Sequence, residues 1–150
     1  MRNIKVLQIK NTLKSLLIDA SFKIPADIID AVKRYRELED NIMAAVILDM
    51  ILENSAIAAD QRLPLCQDCG TVYVDIGSGP DICIDSSKDF LKDEINKTVA
   101  EVYKNNYLRA SIVTDPFFER KNTGNNTPAI INVDFKKSPG LSINVSLKGG

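Results

Sequence analysis

Reactive side chains gather in one short segment, Leu-Pro-Leu-Cys-Gln-Asp-Cys-Gly-Thr, residues 63–71. Pro64 fixes an extended approach and Gly70 permits a tight turn. Between them Cys66, Gln67 and Asp68 present a thiol, an amide and a carboxylate on a loop ahead of a strand. Loops held by rigid elements are where binding and catalytic groups concentrate. Taken alone, Cys66 and Cys69 admit four readings. They can be two small buried thiols that fill space. A redox Cys-x-x-Cys calls for a βαβ setting that the surrounding pattern lacks. A structural zinc calls for four ligands, and adding the distant Cys83 brings the thiols to three in a chain without histidine. An iron–sulfur cluster calls for accessible thiolates whose companions come from elsewhere.

The neighbouring residues have plain readings as well as chemical ones. Asp68 can cap a local turn with its side chain. Arg109 follows a helix that should end near Asn105 and can pair with that helix's last carbonyls. Cys83, between Ile82 and Ile84, reads as a buried strand residue. The absence of histidine excludes a Ser-His-Asp triad, a Cys-His pair and every His-ligated metal site within the chain.

The elements that must position these groups follow from the patterning. The 150 residues are 45% hydrophobic, enough for one core, so a single domain spanning residues 1–150 is expected. Net charge is −1 with acids and bases mixed, which removes the electrostatic case for nucleic acid or an anionic membrane as partner. Lysines interrupt the apolar part of the first twenty residues, which therefore read as an amphipathic helix and not a signal peptide. No run is expected to cross a membrane. Three cysteines without a secretory signal fit a reducing cytoplasm.

Ile9, Leu13, Leu16 and Leu17 fall on one face of a first helix. Pro25 opens a second, running to about Glu37. In the third, capped by Asp40 or Asn41, the residues Ile42, Val46, Ile47, Met50 and Ile51 make a broad apolar stripe. Then the period changes. Residues 71–76 are β-branched and aromatic, 77–81 form a turn, and 82–84 suit a short return strand. Ser86 with Asp89 matches a capping signal for a helix to about Asn105. After a long connection with a turn at Asn122–Asn126, residues 129–135 and 141–147 read as a hairpin around Lys-Ser-Pro-Gly. The expected class is α+β: about three N-terminal helices, then a small, mostly antiparallel sheet with one further long helix.

Three ordered blocks resemble one family. LPLCQDCGT is similar to the L-P-x-C-Q-D-T-G-T signature of class I fumarate hydratases and tartrate dehydratases, with Cys69 where the family usually carries Thr. YLRASIVTDPFFERKNTGNNTPAIINV resembles a second block at the appropriate distance. The final LKGG resembles the start of the family's K-G-G-G-S-E-N element, and ILENSAIAAD fits the stretch before the signature. The resemblance covers nearly the whole chain. It implies the N-terminal region of the α subunit of an iron–sulfur-dependent hydro-lyase, trimmed inside a glycine-rich motif.

Residue by residue, Cys66 matches the first of three cysteines that hold a [4Fe–4S] cluster whose fourth iron stays open for substrate. Asp68 matches an active-site carboxylate, the candidate acid for the departing hydroxyl. Gln67 and Arg109 match residues that contact the substrate's carboxylates, and Gly149 and Gly150 match a loop that closes near them. Cys69 falls at a non-ligand position, as a structural substitute for Thr. The other two cluster cysteines of the family have no match here, and the residue that takes the carbon-bound proton belongs to the β subunit or a C-terminal region. The expected partners are therefore the remainder of the α subunit, a β subunit and a dicarboxylate substrate, with homodimerisation a further expectation. Alone, the chain should neither retain the cluster nor turn over. The expected reaction interconverts L-malate and fumarate, with L-tartrate dehydration as the alternative. A reading of another class is a non-catalytic Cys-x-x-Cys metal-binding or assembly module.

Overall fold

The computed structural model describes residues 1–66 and 68–149; Gln67 and Gly150, both expected near the substrate, lie outside the described residues. The elements run β1 (Arg2–Lys5), α1 (Val6–Phe22), α2 (Ala26–Leu38), α3 (Ile42–Gln61), β2 (Thr71–Ser78), β3 (Ile82–Asp85), α4 (Lys88–Asn105), β4 (Ile130–Phe135) and β5 (Leu141–Lys148). The α+β class is as expected, with three helices ahead of the main sheet and a further long helix among the strands. The chain divides into two compact units, Met1–Asp19 with Asp68–Gly150, and Ala20–Gln67.

In the first unit β2 is the centre of a three-stranded sheet ordered β4-β2-β5. Its β-branched residues alternate as the sequence suggests: Val72, Val74 and Ile76 are buried while Thr71, Tyr73 and Asp75 are half-buried. The core continues with Ile9, Leu13 and Leu17, spaced one helical turn apart on α1, and with Leu91, Ile95, Val99 and Val102 of α4. Two ion pairs join these helices, Lys10–Glu94 at 2.8 Å and Lys14–Glu101 at 2.6 Å. Ser87, not the neighbouring Ser86, caps α4: its hydroxyl accepts the Phe90 N–H at 3.3 Å.

The strand pairings differ from the expected hairpins. The segments read as a hairpin do not pair with each other. Instead β4 lies parallel and β5 antiparallel to β2, one on each side, so the sheet is mixed. Residues 79–129, with α4 inside them, are long enough to return the chain parallel to β2, which a tight turn cannot do. The Lys-Ser-Pro-Gly turn then crosses the end of β2, where the Gly79 N–H donates to the Gly140 carbonyl at 2.9 Å. Likewise β3 does not fold back on β2. It runs parallel to β1, a strand that stands where the amphipathic helix was expected to begin. The Gln8 side chain accepts the Lys5 N–H at 3.0 Å and marks the switch from strand to helix. Cys83 is exposed on β3, not buried, because the short two-stranded ribbon buries Ile82 and leaves the next side chain on the other side.

The second unit is helical. Pro25 precedes α2, and its carbonyl accepts the N–H groups of Ile28 and Ile29. Asn41 caps α3 by accepting the N–H groups of Met43 at 2.9 Å and Ala44 at 3.3 Å. An ion pair at 2.8 Å joins Arg36 of α2 to Asp49 of α3. The whole predicted stripe of α3, Ile42, Val46, Ile47, Met50 and Ile51, is exposed. Contrary to expectation, α3 is long and apolar enough by length and composition to cross a membrane. Asp49 and Glu53 near its middle argue against a span, since a charge at the bilayer centre costs about 2.5–3.5 kcal/mol even on insertion scales.

Candidate functional site

The signature loop enters the first unit at Asp68 and is held there from three directions. Its own turn supplies the first hold. The Gly70 N–H donates to Asp68 Oδ1 at 3.0 Å, so the plain turn-capping reading of Asp68 is realised. The second comes from beyond α4, where Ser111 Oγ donates to the same oxygen at 2.8 Å.

The end of β5 provides the third. Gly70 has φ +60°, and a Cβ placed on it would stand 2.3 Å from the Lys148 carbonyl oxygen. Only glycine satisfies both the left-handed backbone and that contact. Next along β5's exit, a Cβ on Gly149 would come to 3.3 Å from Asp68 Oδ2. A Lys-Gly step thus lets two backbones meet at the carboxylate. Gly149, expected to close near Gln67 and Arg109, is placed beside Asp68.

Cys69 points the other way. It is buried, and its Sγ accepts the Arg109 backbone N–H at 3.3 Å. Its carbonyl accepts the Tyr103 hydroxyl at 2.7 Å. Burial pushes the Tyr103 hydroxyl far above its ordinary pKa, with the adjacent Cys69 and Asp68 adding to the effect. The phenol therefore remains a donor across the working range of pH. Through these two bonds the last turn of α4 and the segment after it are fastened to the signature. Arg109 is exposed, and among the described residues its guanidinium makes no ion pair, so it does not spend itself on the end of α4. Its backbone is fixed while its charge is turned to solvent.

Two residues that sequence reasoning passed over complete the arrangement. Asn126 lies in the segment read only as a turn, yet it is fully buried in the left-handed conformation at φ +58°. Its Oδ1 accepts the N–H groups of Ser111 at 2.7 Å and Ile112 at 3.3 Å, and its Nδ2 donates to the Gly70 carbonyl at 2.9 Å. The one available signal was the run of three Asn among residues 122–126, whose side chains suit both left-handed backbone and local bonds. Asn122 and Asn125 behave as a turn requires, accepting the N–H groups of Gly124 and Thr127.

The donor set for a metal is partial. Cys66 is exposed, which is what an iron–sulfur ligand needs, and neither it nor Cys69 nor Cys83 forms a disulfide. No group of three or more His, Cys, Asp or Glu side chains gathers among the described residues. The described residues thus offer one exposed thiol in the signature loop and no complete set of ligands.

The chain spans 46%, 27% and 43% of the lengths of three relatives it resembles. It is 29% identical, over 88% of its own length, to a protein of Methanocaldococcus jannaschii provisionally named L(+)-tartrate dehydratase subunit alpha. It is 26% identical over 93% of its length to a provisionally named class I fumarate hydratase of Geobacillus stearothermophilus. The L(+)-tartrate dehydratase subunit alpha of Escherichia coli matches at 26% over 87%. The model of the fumarate hydratase (fumerase) family matches residues 10–150. With the signature, the second block and the glycine step all inside that range, the chain belongs to the fumarate hydratase family.

Proposed function

We propose that this chain forms the proton-donating and carboxylate-binding part of a hydro-lyase that interconverts L-malate and fumarate. One observation carries the reading. Asp68, the Arg109 segment and Gly149 come from sequence regions some forty residues or more apart, and backbone and side-chain contacts bring them to one loop.

In dehydration a C–O bond breaks, a proton leaves the adjacent carbon, a C=C bond forms and water departs. Hydroxide is a poor leaving group, so it needs a proton, and the Asp68 carboxyl is the donor. The exposed Arg109 guanidinium offers paired donors to one carboxylate of the substrate, and Gln67 an amide to the same region. Cys66 supplies one thiolate to a [4Fe–4S] cluster. When bound, that cluster would stabilise developing charge on the departing hydroxyl as a Lewis acid. The remaining thiolates and the base for the carbon-bound proton belong to the rest of the α subunit and to a β subunit. The designation "subunit alpha" carried by two relatives supports a second subunit. The same names favour L-tartrate as the alternative substrate. The module reading fares worse, because the Cys69 thiol is buried and accepts an N–H where a zinc pair would need it turned outward.

The full-length subunit and its partner, purified without oxygen, should contain iron and hydrate fumarate. Cys66→Ser should lose both iron and activity, while Cys69→Thr should keep both. Faster turnover of L-tartrate than of L-malate would select the alternative. Zinc bound through both cysteines would overturn the hydro-lyase assignment.

A further inference from the structure

We propose that Ser111 and Asn126 are positioning residues that fix which face of the Asp68 carboxylate meets the substrate. The inference rests on the reading of Asp68 as the proton donor and adds how its geometry is set.

A carboxylate turns readily about its last torsion, which is broad and roughly two-fold. A proton donor that turns freely loses the alignment on which transfer depends. Here two donors converge on one oxygen: the Gly70 N–H at 3.0 Å and Ser111 Oγ at 2.8 Å both reach Oδ1. They come from different directions, one from the loop itself and one from a segment 43 residues later. Together they set the plane of the group and place Oδ2 on the side of Gly149.

Neither donor is self-supporting, and both lead back to Asn126. Its amide nitrogen holds the Gly70 carbonyl and its amide oxygen holds the Ser111 N–H. A single buried side chain therefore sets the distance between the two donors. Burying an amide is costly unless its polar atoms are paired, and the left-handed backbone at Asn126 adds about 1 kcal/mol or more for a residue other than glycine. An apolar residue could fill the space without burying polar atoms, but it could not tie position 70 to position 111. Thr98, equally buried on α4, shows the contrast: its hydroxyl donates to Glu94 within its own helix and joins nothing distant.

The test uses the complete enzyme, full-length subunit with its partner. Ser111→Ala should lower kcat by about ten- to a hundredfold, the range seen when a reacting group is misplaced, with KM within about twofold. Iron content and melting temperature should stay unchanged. Ser111→Thr, which restores the hydroxyl, should recover most of the rate. In an Asp68→Asn background, adding Ser111→Ala should cost no more than about twofold, because a positioning residue has nothing left to position. Asn126→Gly, which keeps the backbone conformation but removes the amide, should lower kcat in the same direction as Ser111→Ala.

A full-rate Ser111→Ala enzyme would overturn the inference, as would equal losses in the wild-type and Asp68→Asn backgrounds. If Asp68→Asn inactivates while Ser111→Ala does not, only the positioning role falls. If Asp68→Asn retains full kcat, the reading of Asp68 as proton donor falls, and the positioning role with it.

Discussion

Helices α3 and α4 are of similar length but are used in opposite ways. The less apolar α4 buries Leu91, Ile95, Thr98, Val99, Val102 and Tyr103. The more apolar α3 buries only Ala45, Ser55 and Ala58 and exposes its branched and sulfur-containing side chains. Apolar content by itself therefore does not say where a helix gains stability. The difference lies in what each faces. In α4 the apolar residues form a stripe, and the same helix carries Tyr103, whose hydroxyl reaches the signature loop. The signature loop is fastened to the helix with the buried stripe.

Three substitutions test that contrast. The largest effect belongs at the site. Gly70→Ala sets a methyl group against the Lys148 backbone and forces a left-handed alanine. It should cost more than about 3 kcal/mol in chemical denaturation or prevent accumulation of folded protein. An ordinary melting curve there would mean that the loop and β5 are not in contact. Next comes the matched pair Ile95→Ala on α4 and Ile47→Ala on α3. The first opens a cavity in the core and should cost about 2–5 kcal/mol. The second trims a side chain that is 56% exposed and should stay within about 0.5 kcal/mol. Equal losses would dissolve the distinction between the two helices.

The smallest effect concerns pH. Glu94 has its pKa held below the ordinary 4.5 by hydrogen bonds from Lys10 and Lys97. A depressed carboxylate contributes stability that is full above the unfolded value and lost as pH falls through the folded one. Glu94→Gln should therefore lower the melting temperature slightly at pH 7, where the contribution is full but screened, and the difference from wild type should vanish as pH falls below about 4.5.

Much of the local structure was legible because it depends on neighbours in sequence. The one-turn spacing of Ile9, Leu13 and Leu17 marked α1, the Asp40–Asn41 step marked the start of α3, and the β-branched run after Gly70 marked β2. The pairings were not legible, since adjacent strands joined by a turn favour a hairpin on local grounds. Here the long crossover through α4 places β2 between β4 and β5, and only the finished sheet decides that. The candidate site divides along the same line. Cys66, Asp68 and Arg109 stood out by type and by their resemblance to a family. Ser111 and Asn126 did not, because a serine and a loop asparagine show their worth only once distant backbones are brought together.

The contact between Gly70 and Lys148 also sets an order of assembly. During synthesis the signature loop leaves the ribosome long before the stretch that will form its floor. Until that later stretch arrives, the Asp68 carboxylate can be held by its own turn and by Ser111, but Gly70 lacks the backbone it packs against. Packing of the signature loop is thus completed only after residue 148 has been made, some eighty residues behind the loop itself.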